Sequence, residues 1–135
     1  MANVLQTGQI KSPNDIPEGD FRKSNPRFQP DVFHKNLDLV RELQKLGEKK
    51  GCTSGQVGIA WVRAQSKKPG MPTIIPIPGA SHEDRVKENV KDVQLSEEDL
   101  AEIDKIIKDT PIQGGRYAEG HQTALLFGNS PPLKE

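Results

Sequence analysis

Three prolines, Pro72, Pro76 and Pro78, frame a short apolar run in which Thr73, Ile74, Ile75 and Ile77 are all β-branched. β-Branching favours a strand, but proline has no amide to give a sheet ladder, so regular pairing must end by about Pro76. The run is continuous rather than alternating, which predicts a short strand buried on both faces, as in a parallel sheet. Gly79, Ala80 and Ser81 then make a turn of small residues, and the charged stretch from His82 to Val90 predicts a helix. A strand that turns on glycine into a helix start is a place where a phosphate can sit, because the backbone can approach closely at Gly79 and first-turn amides point outward. Arg85 lies one turn beyond Ser81, so both can face the same anion. Glu88 and Asn89, a further turn on, can read a base edge. The same spacing also suits an ordinary turn ahead of a solvated helix.

What surrounds this unit limits it. The chain has 135 residues, enough for one domain, whereas a complete (β/α)8 barrel takes about 250 and at least about 200. It divides into an irregular start (1–30), a helix-rich centre (31–110) and a tail (111–135). Met1–Gln6 reads as a frayed strand. Lys11–Pro30 mixes Pro13, Pro17, Pro26 and Gly19 with the cations Lys11, Arg22, Lys23 and Arg27, shows no period, and predicts a flexible basic surface loop. Asp31–Lys50 predicts a helix, since Phe33, Leu37, Val40, Leu43, Leu46 and Gly47 recur at three- and four-residue steps. Asp31 can cap its start and Gly51 can end it. Thr53 with Gln56 makes a capping box for a second helix to Gln65, with Val57, Ala60, Trp61 and Ala64 as its buried stripe. Ser96 with Asp99, and Leu95 stapled to Leu100, start another. Its core face is Leu100, Ile103, Ile106 and Ile107, and it stops before Pro111.

Several function classes fall away. Nineteen basic and nineteen acidic residues leave a net charge of zero, so there is no electrostatic footprint for nucleic acid or an anionic membrane. No apolar run approaches a membrane span, and Met1–Gln6 lacks the features of a secretion signal. The single cysteine, Cys52, permits no internal disulfide and fits a reducing, cytoplasmic setting. Its place just ahead of a helix cap predicts a lowered thiol pKa, but with no partner His or Cys it is no nucleophile. His34 has no second ligand at i+3 or i+4, and His82 no carboxylate partner, so neither a metal site nor a general acid is expected.

The quoted residues also carry a resemblance. IPIPGAS (Ile75–Ser81) with EDRVKEN (Glu83–Asn89) resembles the eighth-strand segment of the aldo-keto reductases. The resemblance implies that Gly79 and Ala80 shape the cofactor loop, that Ser81 and Arg85 contact the 2′-phosphate of NADP(H), and that Glu88 and Asn89 face the adenine. GCTSGQVGIAWVRAQ (Gly51–Gln65) resembles the family's seventh barrel helix, and VQLSEEDLAEID (Val93–Asp104) its penultimate helix. Thr7–Asn36 is similar to the cofactor-covering loop after strand seven, particularly in fungal pyridoxal-reductase-like members, which makes the loop cations a flap over the pyrophosphate. The similarity runs from Thr7 to about Tyr117.

The fold so implied is an α-rich α/β fragment, the C-terminal part of a (β/α)8 TIM barrel, incomplete as a single chain. Only Thr7-Gly8 remains of the family's pyrophosphate loop, so Met1–Gln6 reads as a substitute start left by truncation, splicing or an altered reading frame. Tyr117 and Phe127 fall in the tail, which in the family covers the substrate mouth and here is expected to fray. Reduction of aldehydes and ketones by this family uses an Asp, a Tyr, a Lys and a His from the first half of the barrel. None has a counterpart here, so the expectation is no catalytic residue, weak NADP(H) binding, and activity only with a complementing barrel chain. A reading from another class is a non-enzymatic interaction module. Strand edges and the apolar faces of Val57, Trp61, Leu100 and Ile103 would be left open and covered in a homo-oligomer. With 33% hydrophobic residues, a marginally folded chain is a third expectation.

Overall fold

The computed structural model describes residues 10–118; the expectations for Met1–Gln6, Thr7-Gly8 and Phe127 lie outside them. Three 3-10 turns (Pro13–Asp15, Phe21–Ser24 and Pro26–Phe28) lead into four helices. These are α1 (Pro30–Lys49), α2 (Ser54–Gln65), α3 (Glu83–Val90) and α4 (Glu97–Asp109).

Helix α1 is the axis on which the rest is laid. Its 20 residues extend about 30 Å at 1.5 Å per residue. Pro30 occupies the first helical position, where its missing amide costs nothing, so the helix begins one residue upstream of expectation. Gln29 is therefore the N-cap and makes no side-chain cap bond, while Asp31 falls inside the first turn. At the other end Lys50 closes the helix and Gly51 reverses the chain at φ +62°.

The buried stripe of α1 divides into two cores. Near its start Phe33, Leu37 and Val40 pack with Ile10, Ile16 and Phe28 from the preceding turns. Near its end Leu39, Leu43 and Leu46 pack with Val57 of α2 and Ile103 of α4, with Trp61, Leu95 and Ile106 at the margin. Both expected capping boxes form: Thr53 with Gln56 starts α2, and Ser96 with Asp99 starts α4. Ile107, expected in the α4 core face, is 40% exposed. It sits one residue round the helix from Ile106 and lines an open groove with Leu39 and Leu43 instead of closing the core.

Three expectations are corrected. Thr73–Ile77 forms no strand, and no strand occurs among the described residues. Ile75 is 78% and Ile77 92% exposed, the opposite of burial on both faces. A strand needs a neighbour, and no described segment lies alongside to pair with this one. Among the described residues it is Ser66 that ties it down, its Oγ accepting the Ile74 amide at 2.7 Å. The α/β class expected for the centre is thus all-helical over the described residues.

The second correction concerns Lys11–Pro30, which is packed rather than loose. Ile16 and Phe28 are buried, and three of its four cations are engaged. Arg22 pairs with Asp20 at 2.6 Å, Lys23 pairs with Glu18, and Arg27 Nε donates to the Gly114 carbonyl at 3.0 Å. The third concerns the tail as far as Ala118, which docks on this loop instead of fraying. Gly114, at φ +84°, lies so close that a Cβ there would stand 2.8 Å from the Pro26 carbonyl carbon. The Tyr117 ring centroid lies 6.4 Å from that of Phe21.

Candidate functional site

Six residues were marked by the sequence: Gly79, Ala80, Ser81, Arg85, Glu88 and Asn89. The fold brings them to the start and inner face of α3. His82 is the N-cap, in extended conformation, and makes no side-chain cap bond. The His82 carbonyl accepts the Arg85 amide at 3.1 Å and the Val86 amide at 3.2 Å, so the Glu83 and Asp84 amides of the first turn are the ones left for an outside acceptor. Gly79, Ala80 and Ser81 run exposed into this helix start, and a Cβ on Gly79 would meet nothing within 4 Å. Asn89 reaches back along the helix, its Nδ2 3.5 Å from the Gly79 carbonyl, so the loop is folded toward α3.

Arg85 and Glu88 are half-buried and form an i,i+3 ion pair, Nη1 to Oε2 at 2.7 Å. One nitrogen of the guanidinium is thus engaged, and the remaining N–H groups of its fork are available to a further acceptor. Glu88 has partners on α2 as well. Its Oε1 accepts from Thr53 Oγ1 at 2.7 Å, and its backbone carbonyl accepts from Gln56 Nε2 at 3.0 Å. Neither Thr53 nor Gln56 was marked for function. Their capping-box pattern was legible, but a second role 35 residues away leaves no local signal.

The electrostatics are mixed. Glu83 and Asp84 stand in the first turn of α3, where they answer the helix dipole themselves. Lys87 offsets Glu83 through an i,i+4 pair at 2.7 Å. A guanidinium fork, a serine hydroxyl and the two open first-turn amides are the donors a phosphate needs, so the residues fit a phosphorylated nucleotide. The flanking carboxylates keep the expected affinity low.

Cys52 departs from expectation: partial burial pushes its thiol pKa up, outweighing Lys91 and Lys50, which pull it down. Among the described residues no group of three or more His, Cys, Asp or Glu could hold a metal, and no helix is long and apolar enough to cross a membrane. A second concave feature is apolar. A groove of about 400 Å³ runs between α1, α2 and α4, lined among others by Leu43, Val57, Trp61, Ile77, Ile103 and Ile107.

Comparison with known proteins gives these features a family. Residues 2–108 match the model of the aldo/keto reductase family. An aldo-keto reductase of Strobilurus tenacellus, str7, is 42% identical over 133 residues, which is 97% of this chain and 37% of that protein. The Schizosaccharomyces pombe aldo-keto reductase yakc [NADP(+)] is 37% identical over 94% of this chain and 36% of its own length. A Saccharomyces cerevisiae protein named, provisionally, a pyridoxal reductase is 38% identical over 84% of this chain and 35% of its own length. The chain thus spans little more than a third of the curated relatives it matches. No solved structure matches it with comparable significance. On a match that covers most of its length, this chain belongs to the aldo/keto reductase family.

Proposed function

We propose that this chain carries the adenosine-binding half-site of an NADP(H)-dependent aldo/keto reductase and represents the C-terminal part of its barrel. The observation that carries the reading is the convergence of Gly79–Ser81, Arg85, Glu88 and Asn89 on one helix start, with the Arg85 fork only partly used by Glu88. Arg85 and Ser81 hold the 2′-phosphate, the open backbone at Gly79 and Ala80 lets the ribose approach, and Glu88 and Asn89 face the adenine. The name of the yakc relative, which includes NADP(+), supports the same cofactor. NADP(H) would supply the hydride; this chain's residues supply binding and orientation. The four groups that the family uses for carbonyl reduction have no counterpart in its motifs, so turnover draws on the remainder of the barrel. The single cysteine fits a cytoplasmic setting.

Titration with NADPH, followed by nucleotide fluorescence, tests this. The expected result is weak, saturable binding that falls about tenfold in Arg85→Ala, the usual cost of a lost charge-assisted hydrogen bond. Equal binding by the two proteins, or binding by neither, overturns it.

The apolar groove favours a second reading, a self-associating module in which a second copy covers Ile77, Trp61 and Ile107. Exposed isoleucines around one concavity are a recognition surface in a protein of zero net charge, where nothing long-range opposes a second copy. A concentration-independent monomer mass in light scattering rejects it.

A further inference from the structure

We infer that the α2 capping box is also the positioning device for Arg85, and that Thr53 sets the preference for a 2′-phosphorylated nucleotide. The inference rests on the cofactor reading above. Thr53 Oγ1 accepts the Gln56 amide at 3.2 Å and donates its proton to Glu88 Oε1 at 2.7 Å. Gln56 Oε1 accepts the Thr53 amide at 3.0 Å, while its Nε2 donates to the Glu88 carbonyl at 3.0 Å. Two side chains at the start of α2 therefore hold Glu88 of α3 by its carboxylate and by its backbone. The other carboxylate oxygen, Oε2, accepts from Arg85 Nη1 at 2.7 Å.

The division of that carboxylate is what matters. A free carboxylate meets a guanidinium with both oxygens, fork to fork, and occupies two of its N–H groups. Here Oε1 is committed to Thr53, so Glu88 orients Arg85 through one contact without consuming the fork. Arg85 is held in place yet remains available to a phosphate. Without the Thr53 proton, Oε1 is released to close on Arg85, and an incoming anion must compete with the carboxylate for the whole guanidinium. A nucleotide lacking the 2′-phosphate draws nothing from Arg85 and is indifferent to this change. The selectivity of the site thus depends on a hydroxyl on a neighbouring helix that touches no ligand.

Capping and positioning can be separated, because serine and aspartate both cap helices at least as well as threonine, but only serine can donate to Glu88. NADPH and NADH are titrated against the full chain in wild type, Thr53→Ser, Thr53→Asp and Arg85→Ala, with helicity followed by circular dichroism. Thr53→Asp is expected to weaken NADPH binding about fivefold or more and to leave NADH within about twofold, whereas Thr53→Ser retains the wild-type ratio. Should Thr53→Asp fail to fold, Thr53→Gly caps nearly as well, adds no charge and serves the same comparison. An unchanged NADPH-to-NADH ratio, or equal weakening of both nucleotides, overturns the positioning role. If Arg85→Ala leaves NADPH binding unaltered, the cofactor reading itself fails; if it weakens binding while Thr53→Asp does not, only the role of Thr53 fails.

Discussion

Asn36 and Gln113, 77 positions apart, exchange two hydrogen bonds: Asn36 Nδ2 donates to the Gln113 carbonyl at 2.9 Å, and Asn36 Oδ1 accepts the Gln113 amide at 2.8 Å. The same Nδ2 also donates to the Arg27 carbonyl at 2.9 Å. One buried amide on α1 thus satisfies backbone from both ends of the described chain, where no sheet is present to do so. Replacing Asn36 with Leu leaves these three backbone groups without their partner. The expected loss is about 2–3 kcal/mol, read as a lower urea midpoint at unchanged m-value. A midpoint within error of wild type would mean that water replaces the amide freely.

Gly47 makes a second, less intuitive prediction. Inside a helix, Gly→Ala ordinarily stabilises by about 1 kcal/mol. At Gly47 a Cβ would stand 2.6 Å from the Cys52 carbonyl oxygen and 3.2 Å from the Thr53 carbonyl carbon. The chain leaving α1 folds directly across this glycine, and the Cys52 amide bonds to the Gly47 carbonyl at 2.9 Å. Backbone cannot step aside as a flexible side chain can. Gly47→Ala is therefore expected to destabilise by about 1–3 kcal/mol, the usual range for overpacking, and thermal unfolding will give the sign.

What the sequence disclosed follows from the range of each interaction. Thr53 with Gln56 and Ser96 with Asp99 satisfy helix ends within three residues, so those starts were legible locally. The six candidate site residues lie on one turn and one helix, so their convergence was legible too. Thr73–Ile77 was misjudged because β-branching reports a willingness to pair, while pairing itself depends on a partner elsewhere. Ile16 and Phe28 are isolated apolar residues in a polar, proline-rich segment, with no period to announce that α1 would bury them. Thr53 was seen as a cap and not as an anchor for Glu88, since that bond exists only once α2 and α3 meet.

Acid stability can be predicted in sign. The Asp99 carboxyl is held below its usual range, first by the Lys50 ammonium at 2.5 Å and then by the Ser96 amide, against partial burial. The Arg22 guanidinium takes Asp20 down from 3.8 to about 2. In both cases the folded pKa lies below the unfolded one. The stabilisation is thus complete above the unfolded value and lost as pH falls through the folded value. The urea midpoint should hold steady down to about pH 5 and then decline toward pH 2. Asp99→Asn and Asp20→Asn should each flatten that decline, and a wild-type slope in both variants would remove the assignment.

Ile77 tests what the apolar groove is for. Its side chain is 92% exposed beside Trp61 and Ile107, and burying an isoleucine is worth about 1.5–3 kcal/mol. A two-fold symmetric pair buries it twice, so about 4 kcal/mol of association rests on this position, close to a thousandfold in dissociation constant. The self-association reading then expects the wild type to scatter as a defined oligomer and Ile77→Lys as a monomer with unchanged helicity. Unchanged helicity is the expected control because Ile77 belongs to neither buried core. A wild type that remains monomeric while binding NADPH would reject self-association. An oligomer that survives Ile77→Lys would place the contact on another face.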